Sequence, residues 1–260
     1  MILPSVKLPP VKLPAVFLTR PIAHRAYHDI TAGRPENSLA AVRAAVDAGY
    51  GIEIDLQLSA DGVPMVFHDD TLDRLTDRTG PLARHSAKTL AATPLRHGAE
   101  GIPTLTELLD CVAGLVPLLI EIKDQDGALG PNIGALEAAT AEALAGYDGP
   151  LALMSFNPHA IAAMAQLAPH IARGLTTSAY LPADWAPVPA AVCDLLRDIP
   201  DYDRTGACFI SHEAGDLHRP RVAELRAKGA AVLCWTIRSA QAEAAARLIA
   251  QNVTFEGYAA

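Results

Sequence analysis

Two acidic residues one position apart, Glu53 and Asp55, sit in the run GIEIDLQL at 51–58. In an extended chain Ile52, Ile54, Leu56 and Leu58 fall on one face, and Glu53, Asp55 and Gln57 on the other. The run PLLIEIK at 117–123 repeats the arrangement, with Ile120 and Ile122 on one side and Glu121 and Lys123 opposite. If the apolar faces pack outward against helices, three carboxylates point inward together. Desolvation and mutual repulsion make such a set costly unless something offsets it. A bound divalent cation does so, and an all-oxygen ligand set favours Mg²⁺ or Ca²⁺, with Mn²⁺ also compatible, over zinc. The alternative is a buried ion-pair network with Lys123 and Arg25. Two histidines close strand-like runs, His24 in IAHR and His68 in PMVFHDD. A lone histidine at a strand end is more often structural. Two of them, beside three carboxylates and an arginine, point to general acid–base catalysis, for which an imidazole pKa near neutrality is suited.

Short apolar strand candidates at 21–25, 51–58, 64–68, 117–123, 151–156, 172–177, 207–212, 231–237 and 252–256 alternate with Ala-rich helical stretches. That alternation implies βαβ units and a parallel sheet. A length of 260 residues suits one (β/α)8 barrel, whose active site lies at the C-terminal ends of the strands. Nine strand candidates are one too many for eight. The turn Ser59-Ala60-Asp61-Gly62 is too short for a crossover, so 51–58 and 64–68 should form a hairpin with one member extra to the barrel. Helices are expected at 37–48, ended by Gly49, after a Thr104/Glu107 capping box, and at 240–250, capped by Ser239. Residues 69–101 read as an insertion over one end of the barrel. The stretch 180–206, broken by Pro182, Pro187, Pro189 and Pro200, reads as a lid or long loop. The resulting division is an extended N-terminal arm at 1–20 and a single domain at 21–260.

Lys and Arg number 21 against 29 Asp and Glu, a net charge of −8, which argues against non-specific binding to nucleic acid or anionic membrane. The prolines at 4, 9, 10 and 14 interrupt any signal-peptide core, and no run reaches the length of a membrane span. Cys111, Cys193, Cys208 and Cys234 form no CxxC pair and read as free thiols. Together these features suggest a cytoplasmic protein.

The chain resembles the glycerophosphodiester phosphodiesterase family in IAHRA (22–26), RPENSLAAVRAAVDAGY (34–50) and IEIDLQLSADGVPMVFHDDTLDRLTDRTG (52–80). IPTLTELLD (102–110), LLIEIK (118–123) and LCWTIRS (233–239) continue it in family order. The resemblance implies a (β/α)8 barrel with a small insertion after the H-D pair. It implies that His24 and His68 are acid and base, and that Glu53, Asp55 and Glu121 hold one divalent cation. It further implies that Arg25 and Lys123 contact phosphate, that Glu36 and Asn37 support the site from behind, and that Trp235 lies near glycerol. The implied reaction is hydrolysis of a small-molecule phosphodiester, such as glycerophosphocholine or glycerophosphoethanolamine, to glycerol 3-phosphate and an alcohol. Two departures bear on substrate choice: Ala26 stands where the family usually has Gly, and TFEGY replaces an Asp-Pro ending. Competing readings are a phospholipase D-like enzyme acting on lysophospholipids and a barrel that binds a phosphodiester without cleaving it.

Overall fold

The computed structural model describes residues 11–260. Nine strands follow the expected runs: β1 (Ile22–Ala23), β2 (Gly51–Leu58), β3 (Pro64–Val66), β4 (Leu118–Ile122), β5 (Leu151–Ser155), β6 (Ala172–Thr177), β7 (Phe209–Glu213), β8 (Ala231–Ile237) and β9 (Asn252–Phe255). All except β3 pair in parallel, and β1 pairs with both β9 and β2, which closes an eight-stranded barrel. The extra member of the hairpin is β3, antiparallel to β2, and Gly62 in the turn adopts φ 80°.

Eight helices connect the strands: α1 (Leu39–Ala48), α2 (Ala87–Ala91), α3 (Leu105–Val112), α4 (Ala135–Ala143), α5 (Pro158–Leu167), α6 (Ala190–Leu196), α7 (Pro220–Ala227) and α8 (Ala240–Ala246). The period-two pattern sorts side chains by layer. Ile52, Ile54 and Leu56 point outward into a fully buried cluster with Val42 and Ala45 of α1 and Leu105, Leu108 and Val112 of α3. The capping box at Thr104 and Glu107 forms as expected. Helix α1 starts at Leu39 rather than 37, because Ser38 is the N-cap and Asn37 is held at φ 58°. Helix α8 stops at Ala246, short of the expected 250.

Inside the barrel, the strands' N-terminal halves contribute an apolar floor that includes Ile22, Leu119, Ala152, Ala172, Phe209 and Leu233. Of the expected extended arm, residues 1–10 lie outside the described residues. Residues 15–18 form a 3₁₀ turn that inserts Phe17 into this floor, and Asn252 Nδ2 donates to the Phe17 carbonyl at 2.7 Å. The 69–101 stretch carries α2, a 3₁₀ turn and a small core of its own, in which Leu72, Leu82, Leu90 and Leu95 pack with Met65, Phe67 and Ile102. The 180–206 stretch contains α6 and is anchored by Tyr180, Cys193 and Leu196 packed with Leu129. All four cysteines are free. No helix among the described residues is long and apolar enough to cross a membrane.

Candidate active site

Above the apolar floor, the inward face of β2 carries Glu53 and Asp55, and β4 carries Glu121 in register with Asp55. Their carboxylate oxygens lie within 4.8 Å of one another, and the residues are only 2 %, 2 % and 6 % exposed. Burial, then the charges of Asp55 and Glu121, push the Glu53 carboxyl well above its ordinary pKa. Burial acts on Asp55 in the same direction. There it is outweighed by Lys123, His68, Arg25 and a hydrogen bond from Asn37, which hold Asp55 well below the usual range.

The cations reach only part of this cluster. Lys123 Nζ lies 2.8 Å from Glu121 Oε1 and 3.4 Å from Asp55 Oδ1. Burial lowers the Lys123 pKa, but Glu121 and Asp55 reverse this and hold it above the ordinary value. Arg25 Nε sits 3.8 Å from Asp55, while its Nη1 donates to Glu36 at 2.8 Å. Glu53 accepts only the Arg25 backbone N–H, at 2.8 Å. The ion-pair alternative therefore leaves one buried carboxylate without a cation. Three converging hard oxygens with an unmet charge fit a divalent cation such as Mg²⁺ or Ca²⁺.

The backbone turn that aims the Arg25 N–H at Glu53 is left-handed at both Arg25 (φ 53°) and Ala26 (φ 65°). This is the conformation that favours glycine at the second position. The Ala26 methyl is buried in the outer core, and that burial offsets part of the strain. Asn37, buried and also left-handed, donates to Asp55 Oδ2 at 3.0 Å and fixes that carboxylate.

His24 and His68 face this cluster with the same wiring. His24 Nδ1 is 2.6 Å from Glu256 Oε2, and His68 Nδ1 is 2.8 Å from Asp69 Oδ1. A carboxylate on Nδ1 fixes the ring and leaves Nε2 as the nitrogen available for proton transfer. Burial lowers the His24 pKa, and Glu256 opposes that shift. Glu256 is itself held low by its hydrogen bond with His24 and by His28 Nε2, 3.7 Å away, and Arg238 Nε donates to it at 2.8 Å. Asp69 also receives Arg74, which bridges to Glu36. A chain of charges thus runs from Asp69 through Arg74 and Glu36 to Arg25.

A cavity of about 170 Å³ brings together His24, Arg25, Glu53, Asp55, His68, Glu121, Lys123 and Trp235. Glu36 and Asn37 stand behind it, against Arg25 and Asp55. A second cavity, about 470 Å³, shares His68, Glu121, Lys123 and Phe156 with the first and extends to Asp70, Asp124, Asp184 and Trp185. A larger one, about 570 Å³, lies beyond Glu36 along Tyr27, Arg34 and Tyr258 and touches none of the three acids or of His24 and His68.

Sequence reasoning missed Glu256, Asp69 and Arg74 as partners of the site. For Glu256 a signal existed. In NVTFE the residues Asn252, Thr254 and Glu256 share the inward parity of β9.

The model of the glycerophosphoryl diester phosphodiesterase family matches residues 24–254. Bovine glycerophosphodiester phosphodiesterase 1 is 39 % identical over 113 residues, covering 39 % of this chain and 33 % of that protein. The glycerophosphodiester phosphodiesterase of Caldanaerobacter subterraneus is 30 % identical over 161 residues, covering 58 % of this chain and 65 % of that one. The matched region therefore spans about a third of the mammalian relative and just under two thirds of the bacterial one. An Oleispira antarctica phosphodiesterase, solved in complex with the product sn-glycerol-3-phosphate, superposes with a TM-score of 0.73 at 28 % identity, over 96 % of this chain and 93 % of that one. A putative glycerophosphoryl diester phosphodiesterase from Agrobacterium tumefaciens shares the fold, with a TM-score of 0.73 at 21 % identity over 91 % and 92 % of the two chains. This chain belongs to the glycerophosphoryl diester phosphodiesterase family.

Proposed function

We propose that the chain hydrolyses glycerophosphodiesters, such as glycerophosphocholine or glycerophosphoethanolamine, to sn-glycerol 3-phosphate and the free alcohol. The observation that carries this is the pair of imidazoles, each tethered through Nδ1 to a carboxylate, on the wall of the one cavity that holds the buried three-acid cluster. The Oleispira phosphodiesterase, bound to sn-glycerol-3-phosphate, supports the same product here.

Glu53, Asp55 and Glu121 are the groups that hold the divalent cation, which when bound supplies Lewis-acid stabilisation of charge on the phosphoryl oxygens. Arg25 and Lys123 bind the phosphate anion, and the Glu36–Arg74 pair fixes the Arg25 guanidinium. One histidine takes the proton of the attacking oxygen as the new P–O bond forms. The other gives a proton to the departing alcohol oxygen as the old P–O bond breaks. Trp235 is held by its indole N–H on the Ser211 carbonyl at 3.0 Å and offers a flat apolar face to the glycerol carbons.

The alcohol leaves toward the adjoining cavity. There the rings of Phe156 and Trp185, 4.9 Å apart, and the carboxylates of Asp70, Asp124 and Asp184 suit an ammonium head group. Exposed Leu181 and Leu195 on the 180–206 segment favour a second reading, in which a lysophospholipid's acyl chain rests on that rim. Four free thiols suit a reducing compartment such as the cytoplasm.

The test is glycerol 3-phosphate release, coupled to its dehydrogenase, from a panel of glycerophosphodiesters, with choline release read for both glycerophosphocholine and lysophosphatidylcholine. Each is assayed with chelator and then with Mg²⁺, Ca²⁺ or Mn²⁺ restored. Absence of product from every head group with every metal rejects the proposal and favours a binding-only barrel. Faster turnover of lysophosphatidylcholine selects the second reading.

A further inference from the structure

Two hydroxyls in the reaction cavity have no role in the chemistry above. Thr176 on β6 and Thr254 on β9 are 2 % and 1 % exposed, both line the cavity, and neither Oγ1 has a hydrogen-bond partner. A buried hydroxyl with no partner is unfavourable, and valine has the same branched shape without that polarity. An orphan hydroxyl alone decides little, since Thr140 on α4 also has one. What separates Thr176 and Thr254 is their place. They flank the strand of Trp235, Thr254 on the adjacent strand and Thr176 two strands away on the other side. The opening toward Asp184 and Trp185 lies past His68 and Lys123, and Phe156 stands at its edge against Trp235. The cavity that Trp235 lines thus has one of these buried, unpartnered threonines on either flank of its strand. A vicinal diol matches this, with carbons for the ring and hydroxyls for the two threonines.

We propose that Thr176 and Thr254 form a polyol-recognition pair. They hydrogen-bond the glycerol hydroxyls and select a glycerol-bearing phosphodiester over one carrying an alkyl or aryl group there. The inference rests on the glycerophosphodiester reading and deepens it.

The test compares Thr176→Val, Thr254→Val and the double variant with Thr140→Val as control. Calorimetry reads affinity for sn-glycerol 3-phosphate and for inorganic phosphate, in Mg²⁺ buffer. Kinetics read kcat/KM on glycerophosphocholine and on bis(p-nitrophenyl) phosphate. Each cavity variant should weaken sn-glycerol 3-phosphate binding roughly 3- to 10-fold. Inorganic phosphate binding and aryl diester turnover should stay unchanged, and Thr140→Val should alter nothing. Thr176→Ser and Thr254→Ser, which keep the hydroxyl, should retain affinity and guard against misfolding of the valine forms. Unchanged sn-glycerol 3-phosphate affinity in the double variant, or an equal loss for inorganic phosphate, overturns the pair. Wild-type protein that binds sn-glycerol 3-phosphate through these threonines but cleaves no glycerophosphodiester keeps the pair and rejects the activity.

Discussion

Glu256 Oε2 lies 2.6 Å from His24 Nδ1, joining the last strand of the barrel to the first across 232 positions of sequence. Burial lowers the His24 pKa, and the carboxylate raises it part of the way back. In Glu256→Gln the opposing effect is gone, so the His24 pKa drops further. If His24 is the base, needed neutral, the acid limb of the kcat/KM–pH profile moves to lower pH. If it is the acid, needed protonated, the alkaline limb moves to lower pH instead. Activity at the optimum should fall about 10-fold, since the ring also loses its orienting partner. A profile with both limbs unmoved would show that Glu256 does not act through His24.

His24→Ala and His68→Ala should each reduce turnover of glycerophosphocholine on the order of 10²–10⁴-fold. An activated ester separates the two roles, because p-nitrophenolate departs without needing a proton. On bis(p-nitrophenyl) phosphate the variant lacking the acid should recover most of its activity, and the variant lacking the base should not. Normal glycerophosphocholine turnover in either variant removes that histidine from the mechanism.

The parts of this site written in a strand's alternation were legible in the sequence. Glu53, Asp55 and Glu121 each sit between apolar neighbours, Lys123 keeps the parity of Glu121, and a period of two assigns their face without reference to the rest of the molecule. Asp69 was not assigned, because what defines it is a hydrogen bond and not a pattern. Glu256 had parity in its favour, but it follows a strand of four residues, too short for alternation to stand out. The Phe17 plug escaped for a related reason. A proline-bounded tetrapeptide carries no periodicity, and only the closed barrel gives Phe17 a floor to fill. At Ala26 the sequence hid a left-handed residue by placing alanine where glycine would have signalled it.

Cation binding should stabilise the fold, and the effect should grow with pH. The folded pKa of Glu53 is raised above its ordinary 4.5 by burial and by its acidic neighbours. Its contribution to stability is therefore complete below that value and is lost as pH rises through the folded pKa. A divalent cation reverses this by stabilising the ionised form. At a hundredfold excess over Kd it adds about 2.7 kcal/mol, a rise in Tm of roughly 5–10 °C. Scanning calorimetry at several pH values, with Mg²⁺ or chelator, should show the gap widening upward from about pH 4.5 and shrinking in Glu53→Gln. A Tm indifferent to every divalent cation contradicts the assigned ligand set.

Asp184→Asn and Trp185→Leu probe the alcohol side of the cavity. An ammonium over an aromatic face contributes about 0.5–2 kcal/mol, so Trp185→Leu should lower kcat/KM on glycerophosphocholine roughly 2- to 30-fold. Asp184 is exposed, and its attraction for the head group should fade with added salt. Neither change should affect a diester with an uncharged alcohol, such as bis(glycerol) phosphate. Equal losses on charged and uncharged substrates count against head-group selection by this wall.

Phe17→Ala separates scaffold from chemistry. The ring is fully buried at the N-terminal end of the barrel, packed among residues such as Ile22, Leu119, Phe209 and Leu233, while the acids and histidines gather at the opposite end. Truncating it opens a cavity beneath the strands, and a buried Phe→Ala change costs about 3–5 kcal/mol. The urea midpoint should fall by that free energy divided by the m-value, with m itself unchanged, since the native surface hardly alters. At temperatures where the variant remains folded, kcat/KM should match the parent. The cation ligands are held by strand register and by Asn37 and Arg25, and none of these contacts runs through Phe17. A large loss of activity in still-folded Phe17→Ala protein would mean that the floor sets the geometry of the carboxylates above it, and that the two ends of the barrel are mechanically coupled.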